Sequence, residues 1–280
     1  MYKELLKKSW HSIKPVLFIP DLIFVVITLI VLLTTIFTSG LFAFLSYGIF
    51  AKAEEFPKLF LDFTRANPLR FIISLVTFFI VTFIVGVSTT SMRLAIIRDI
   101  INGKKVKFNL NYGKDYFWRV VRLKVLIFLT TIAIILFGLI WISFINYFKL
   151  GIWLIVLGIL ITLFLLILFF MVVLFRYPIM IINNKNAVVT LTESLYYTIR
   201  NKKHILIVIL LLFLIGVIFS FSTSIISKLT DLIISLAKTS TIGFFILISG
   251  IMINVLIDIT FLILKDLFLF YNFKNKKTIY

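Results

Sequence analysis

A carboxylate within a long apolar run is the residue of this chain best placed for chemistry. Asp258 alone interrupts the hydrophobic stretch 239–264. In a membrane span such a group costs about 2.5–3.5 kcal/mol unless it meets a partner or water, so it marks a candidate site for a proton, a cation or a substrate headgroup. Asn254 and Gly250 recur at four-residue steps before it and share its helical face. The depth expected for Asp258, near Asp21, Arg93 and Arg176, suggests a buried pair with Arg93 or Arg176. The alternative is a structural polar clamp that fixes helix register.

Other chemistry is poorly supplied. The chain has no cysteine, which excludes thiol nucleophiles and Cys-based metal sites. His11 and His204 are its only histidines, each expected at the entry to a span as an interfacial anchor, and neither has the neighbours of a metal site. No serine triad, His-Glu-x-x-His site or phosphate-binding glycine loop is present, and Ser220, Ser222 and Ser224 have no base placed to activate them. The expectation is a non-enzymatic protein without a cofactor.

The elements that must position these residues are membrane helices. The 280 residues are 62% hydrophobic and 14% charged, with a mean hydropathy of +1.17. A water-soluble fold of this size could not bury so much apolar surface. Apolar runs at 22–51, 71–92, 125–148, 150–175, 205–227 and 239–264 can each cross a hydrocarbon core of ~30 Å as a helix. They lack the alternation of barrel strands, so the fold class is all-α, a polytopic protein with six transmembrane helices. The first run is too long for the apolar part of a cleaved signal and reads as a retained span. Gly151 and Gly158, like Gly243 and Gly250, stand a heptad apart as helix-packing faces.

The net charge of +18 is unevenly spread. With a cytoplasmic amino terminus, 22 of the 29 Lys and Arg fall on cytoplasmic segments, which places both termini inside a cell membrane. Lys7, Lys8, Lys14, Arg119, Arg122, Lys202 and Lys203 are then contacts for anionic lipid headgroups of the inner leaflet. Nucleic acid is a poor partner, because no soluble domain is left to bind it. A protein partner or a homo-oligomer is open.

The ends of spans two, four and six share a pattern: Arg93 to Asn102 and Lys104, Arg176 to Asn183 and Lys185, Lys265 to Asn272 and Lys274. Amphipathic stretches precede spans one, three and five. Asn186 can cap a helix whose apolar stripe is Val188, Leu191, Leu195 and Ile199. Tyr112, Tyr116, Val120 and Leu123 face away from Asp115, Arg119 and Arg122, and Tyr2, Leu6, Trp10 and Ile13 away from Lys3, Lys7 and His11. The reading is one membrane domain, 1–280, of three parallel units near 1–103, 104–184 and 185–280, each an interfacial helix followed by a hairpin. Frequent Lys and Asn at membrane exits would give part of the same pattern. The external segment suggests a further helix around Phe56, Leu59, Phe60 and Phe63, and Pro178 should end or kink span four.

The stretch from Pro178 through Asn183, Ala187, Leu191 and Ser194 to Ile199-Arg200, with Tyr271-Asn272-Phe273-Lys274, resembles the six-helix membrane domain attached to some glycerophosphodiester phosphodiesterases and its stand-alone prokaryotic relatives. The chain departs from that pattern at Asn183 and Asn184, where those proteins tend to be acidic, and at Phe273-Lys274, where they have an aliphatic residue and Arg. The resemblance implies the six-helix architecture across nearly the whole chain. It implies no phosphodiesterase activity, since these residues hold no such domain.

Two functions remain. One is a membrane-organising scaffold that binds lipid or a partner through basic amphipathic helices at the inner leaflet. The other is a transporter or channel for a small solute, ion or lipid, with Asp258 in the pathway. Broken helices and polar groups at the midplane would favour transport, and only Asp258 and Asn254 are candidates for such groups.

Overall fold

The computed structural model describes residues 1–41, 64, 67–106, 108–149, 151–236 and 240–277. The helix expected around Phe56 to Phe63 lies outside the described residues. Those described form nine α-helices and no strand: α1 Tyr2–His11, α2 Phe18–Ser39, α3 Pro68–Ile101, α4 Lys114–Tyr147, α5 Ile152–Val173, α6 Arg176–Ile182, α7 Ala187–Arg200, α8 Lys202–Leu236 and α9 Ser240–Lys277.

Local sequence sets most of the boundaries. Pro68 occupies the first turn of α3, where its missing N–H costs nothing. Gly40 closes α2 with φ 81°, a left-handed conformation that glycine adopts without strain. Asn186 caps α7, its Oδ1 accepting from Val189 N at 3.0 Å as its position predicts. Span four breaks at Leu174-Phe175 and resumes as α6, with Pro178 in the first turn after the break.

Six helices, counting α5 and α6 together, are long and apolar enough to cross a membrane. Only 6% of the most apolar window is buried in α3, α4 and α5–α6, and 17% in the other three. Protein therefore does not cover this surface, and the chain is a multi-pass membrane protein whose spans need lipid around them.

The spans pack as three hairpins, α2 with α3, α4 with α5 and α8 with α9. Close approach inside the hairpins uses small residues. A methyl group at Gly158 would overlap Trp141, and one at Gly138 or Gly250 would overlap Thr162 or Thr230. Gly151 has open space around it and Gly243 meets only Ile234 at 3.7 Å, so one member of each expected glycine pair makes the contact.

The hairpins join at one end, where α1 packs on α9. This basic end holds the core. Leu94, Ile97, Val120, Leu123, Ile263 and Leu267 form one buried cluster, and Phe175, Ile179, Ile205 and Phe268 a second. Since α3 and α4 run 34 residues each, about 51 Å, they exceed the ~30 Å bilayer core, and the last turns of α3 and the first turns of α4 are free to pack against protein.

The amphipathic stretches divide. α1 and α7 are separate helices. The third is continuous with α4, and its apolar side, Tyr116, Val120 and Leu123, is buried in the core instead of facing lipid. Gly113 starts α4 at φ 81°, and a methyl group there would overlap the Ser91 carbonyl of α3, so glycine is required.

Candidate functional site

Three charged side chains from three helices meet at the basic end. Arg93 on α3 is 5% exposed, Asp21 in the first turn of α2 is 6% and Asp266 on α9 is 5%. Arg93 Nη1 donates to Asp21 Oδ1, and Arg93 Nε donates to Asp266 Oδ2 at 3.1 Å. The guanidinium is planar and permanently charged, with donors on two edges, so one side chain can bridge two acids where a lysine could not hold the same geometry. The bridge joins the first hairpin to the third. Burying it costs desolvation, and its mutual attraction offsets that cost only while the shared cation, Arg93, is in place.

A cavity of about 490 Å³ adjoins this cluster. Arg93, Lys124, Arg176 and Lys265 line it, with Asp266 as its one lining carboxylate, and Phe170, Leu212, Phe213 and Phe261 contribute apolar wall. Lys124 Nζ donates to Gly86 O at 3.2 Å and Thr90 Oγ1 at 3.3 Å, both neutral acceptors. Arg176 Nη1 donates to Val173 O at 2.8 Å, a carbonyl left free where span four breaks, and its guanidinium lies 4.4 Å from the centre of the Tyr177 ring. Arg176 Nε is buried with no acceptor among the described residues. Lys265 is half-buried and makes no ion pair among them. Such a cavity can hold an anion, and its apolar side suits a hydrocarbon chain.

Asp21 thus pairs with Arg93, and Arg176 shares the cavity with Arg93, but Asp258 joins none of them. Arg93 takes Asp21 and Asp266 as its carboxylates, and Arg176 takes none. Asp258 is exposed and pairs with no described residue. It lies eight residues before Asp266 on the continuous α9, about 12 Å along the axis, so its depth is not that of Asp21 and Arg93. Asn254 Nδ2 donates to Ser227 Oγ at 3.0 Å, tying α9 to α8, and Gly250 admits Thr230. Sequence reasoning missed Asp266, Lys124 and the inward role of Lys265. Their available signal was the position of Lys265-Asp266 level with Arg93 and Arg176 at the matched span ends.

A second polar cluster secures the turn between α3 and α4. Tyr112 OH donates to Asp99 Oδ2 at 2.6 Å, Arg98 Nε donates to Asp99 Oδ1 at 3.0 Å, and Arg98 Nη1 donates to the Tyr116 hydroxyl. The hydrogen bond to Asp99, with burial, holds the Tyr112 phenol above its ordinary pKa. His204 is buried instead of interfacial. Its ring stacks on Tyr2 at 5.5 Å, and its Nδ1 shares a 2.6 Å hydrogen bond with the Tyr2 hydroxyl, fastening α1 to α8.

The expected lipid contacts spread over the surface of the same end. Lys7, Lys14 and Arg122 are exposed, and Lys8 is exposed with its Nζ 4.8 Å from the Tyr271 ring centre. Arg119 donates to Asn184 Oδ1. Lys202 and Lys203 edge a groove of about 790 Å³ between α5, α7 and α8, whose walls include Leu168, Leu195, Ile199 and Leu206. α7 turns its small residues Ala187, Thr190, Ser194 and Thr198 inward, and Ser194 Oγ donates to Val172 O of α5. Of its expected aliphatic stripe, Leu191 packs on the core, while Val188, Leu195 and Ile199 are left outward at 64%, 43% and 52% exposed. No protein-family model, no curated protein and no solved structure matches this chain.

Proposed function

We propose that this multi-pass protein is a non-enzymatic organiser of the cell membrane that binds anionic lipid at the inner leaflet, with both termini in the cytoplasm. The observation that carries the reading is α7. It presents an exposed aliphatic stripe beside the exposed Lys202 and Lys203, as a helix lying in the headgroup plane would. Lys7, Lys8, Lys14 and Arg122 extend the basic collar around the same end, and the excess of Lys and Arg on that side favours the cytoplasm. The reading includes three parallel units, near 1–103, 104–184 and 185–280, one for each of the three hairpins.

Vesicles of zwitterionic lipid carrying a fluorescent anionic lipid test the collar by energy transfer from the tryptophans. The wild type should enrich the anionic lipid around itself. Lys202→Gln with Lys203→Gln should weaken that enrichment by up to roughly thirtyfold, from about 1 kcal/mol per basic residue near the surface. Equal transfer from anionic and zwitterionic probes would refute the reading. Solute or ion uptake that Asp258→Asn abolishes would install the transporter in its place. Because the chain has no cysteine, Asn184→Cys gives one thiol, which an impermeant reagent should label only from the cytoplasmic side.

A further inference from the structure

The cavity beside Arg93 holds more positive charge than the protein neutralises. Four cations line it, and the carboxylates near them are Asp266 and, behind Arg93, Asp21. Both acids are committed to Arg93. Among the described residues Lys124, Arg176 and Lys265 are left with neutral acceptors or none, and the buried Arg176 Nε lacks an acceptor. All three are partly buried against apolar wall, where an opposite charge close by offsets the cost of desolvation. The other wall is aromatic and aliphatic, and the volume falls within the ~300–1,000 Å³ of small-molecule sites.

We infer that this cavity binds the phosphate of a single anionic phospholipid, held by Lys124, Arg176 and Lys265, with the start of an acyl chain along Phe170, Leu212, Phe213 and Phe261. A phosphate supplies one to two negative charges and several acceptor oxygens, which match the cations in excess and the free guanidinium N–H. A free phosphate would satisfy the charge and leave the apolar wall unused. The site lies inside the protein, whereas the collar of Lys202 and Lys203 attracts lipid from its surface. The two can fail separately. Because the lining comes from all three hairpins, the bound lipid braces them against one another.

Native mass spectrometry and thermal unfolding of the full chain in detergent test this, with phosphatidic acid, phosphatidylglycerol, phosphatidylcholine and inorganic phosphate added singly. The expected result is one tightly held anionic lipid per chain, surviving activation that strips phosphatidylcholine, and a melting point raised by ~5 °C at saturation. Lys124→Gln with Lys265→Gln should weaken this adduct by on the order of tenfold per residue, as expected for lost charge-assisted hydrogen bonds. Leu212→Trp, which fills the apolar wall and leaves every charge in place, should do the same and serves if the double variant fails to fold. Lys202→Gln with Lys203→Gln should keep the adduct. Loss of the adduct in the collar variant alone would overturn the cavity assignment while leaving the collar intact. An equal melting shift with inorganic phosphate would overturn the lipid. Graded binding of many lipids, equal in wild type and both cavity variants, would overturn the site altogether.

Discussion

Replacing Arg93 by Gln should destabilise the protein far more than neutralising either of its acids. The three groups form a chain of charges, negative, positive, negative, each nearly sealed from solvent. Asp21→Asn or Asp266→Asn removes one negative charge and leaves a balanced pair, and the amide oxygen can still accept from the guanidinium. The expected cost is about 1 kcal/mol, the ordinary value for one weakened hydrogen bond. Asp21 has the smaller stake, because its Oδ2 is already without a partner. Arg93→Gln instead leaves two buried carboxylates without their shared cation. Removing one partner of a buried pair costs ~3–5 kcal/mol, and here the lower end applies, since Lys265 and Lys124 line the adjoining cavity and offset part of the exposed charge.

The assay is thermal unfolding of purified protein in detergent, followed by tryptophan fluorescence. At ~2–4 °C per kcal/mol for a chain of this order of size, Arg93→Gln should lower the midpoint by roughly 6–12 °C and each Asn variant by roughly 2–4 °C. Arg93→Lys should fall between, its compact ammonium reaching one acid well and the other poorly. Replacing all three with Leu or Met should recover wild-type stability or exceed it by up to ~4 kcal/mol, because the desolvation cost disappears with the charges. A midpoint for Arg93→Gln within ~2 °C of wild type would refute the reasoning, as would a larger loss from either Asn variant.

Gly113→Ala should cost more than about 2 kcal/mol, combining the left-handed penalty with displacement of the Ser91 carbonyl, and should appear as a lower melting midpoint; an unchanged midpoint would mean that α4 can start elsewhere. Asp258→Leu should raise the midpoint, since an exposed carboxylate within a span costs about 2.5–3.5 kcal/mol in lipid, and a fall would show that another molecule or a pathway uses that group. The raised pKa of Tyr112 means that its bond to Asp99 is fully present below the unfolded value near ~10 and is lost as pH rises through the folded one. Stability measured at rising alkaline pH should therefore decline in the wild type with a component that Tyr112→Phe removes.

The six spans were legible because length and absence of charge determine them almost alone, and the Asn186 cap because its chemistry is local. Asp258 was misplaced in depth because the apolar run ends at Leu264 and looks like a membrane exit there. α9 in fact continues to Lys277, and its late turns, with Phe268, Phe270 and Tyr271, are buried against other helices. Asp266 therefore carries the burial that the sequence pattern gives to Asp258. Amphipathicity was likewise half informative. It identified an apolar face on Tyr112, Tyr116, Val120 and Leu123 and another on Val188, Leu191, Leu195 and Ile199, but it says nothing of what covers each. Protein covers the first, and the second is open except at Leu191. Only the small stripe of Ala187, Thr190, Ser194 and Thr198, whose hydroxyls can reach α5, separates the two cases.

The matched bases Arg93, Arg176 and Lys265 were read from span ends that are distant in sequence, yet all three line one cavity. Parallel units around an axis along the membrane normal would have that consequence, since equivalent positions then face a common centre at one depth. The neutralisation is not threefold. Both acids serve Arg93 of the first hairpin, while Arg176 of the second and Lys265 of the third pair with no carboxylate among the described residues. Lys124, also without one, belongs to the second hairpin. The apolar wall divides in the same way, with Phe170 from the second hairpin and Leu212, Phe213 and Phe261 from the third. Arg93 of the first hairpin is thus matched by its own Asp21 and by Asp266 of the third, while Lys124, Arg176 and Lys265 of the other two stand next to hydrocarbon with no ion pair among the described residues. An amphiphile that is anionic at one end fits that asymmetry, whereas a symmetric ion site would need each unit to contribute alike.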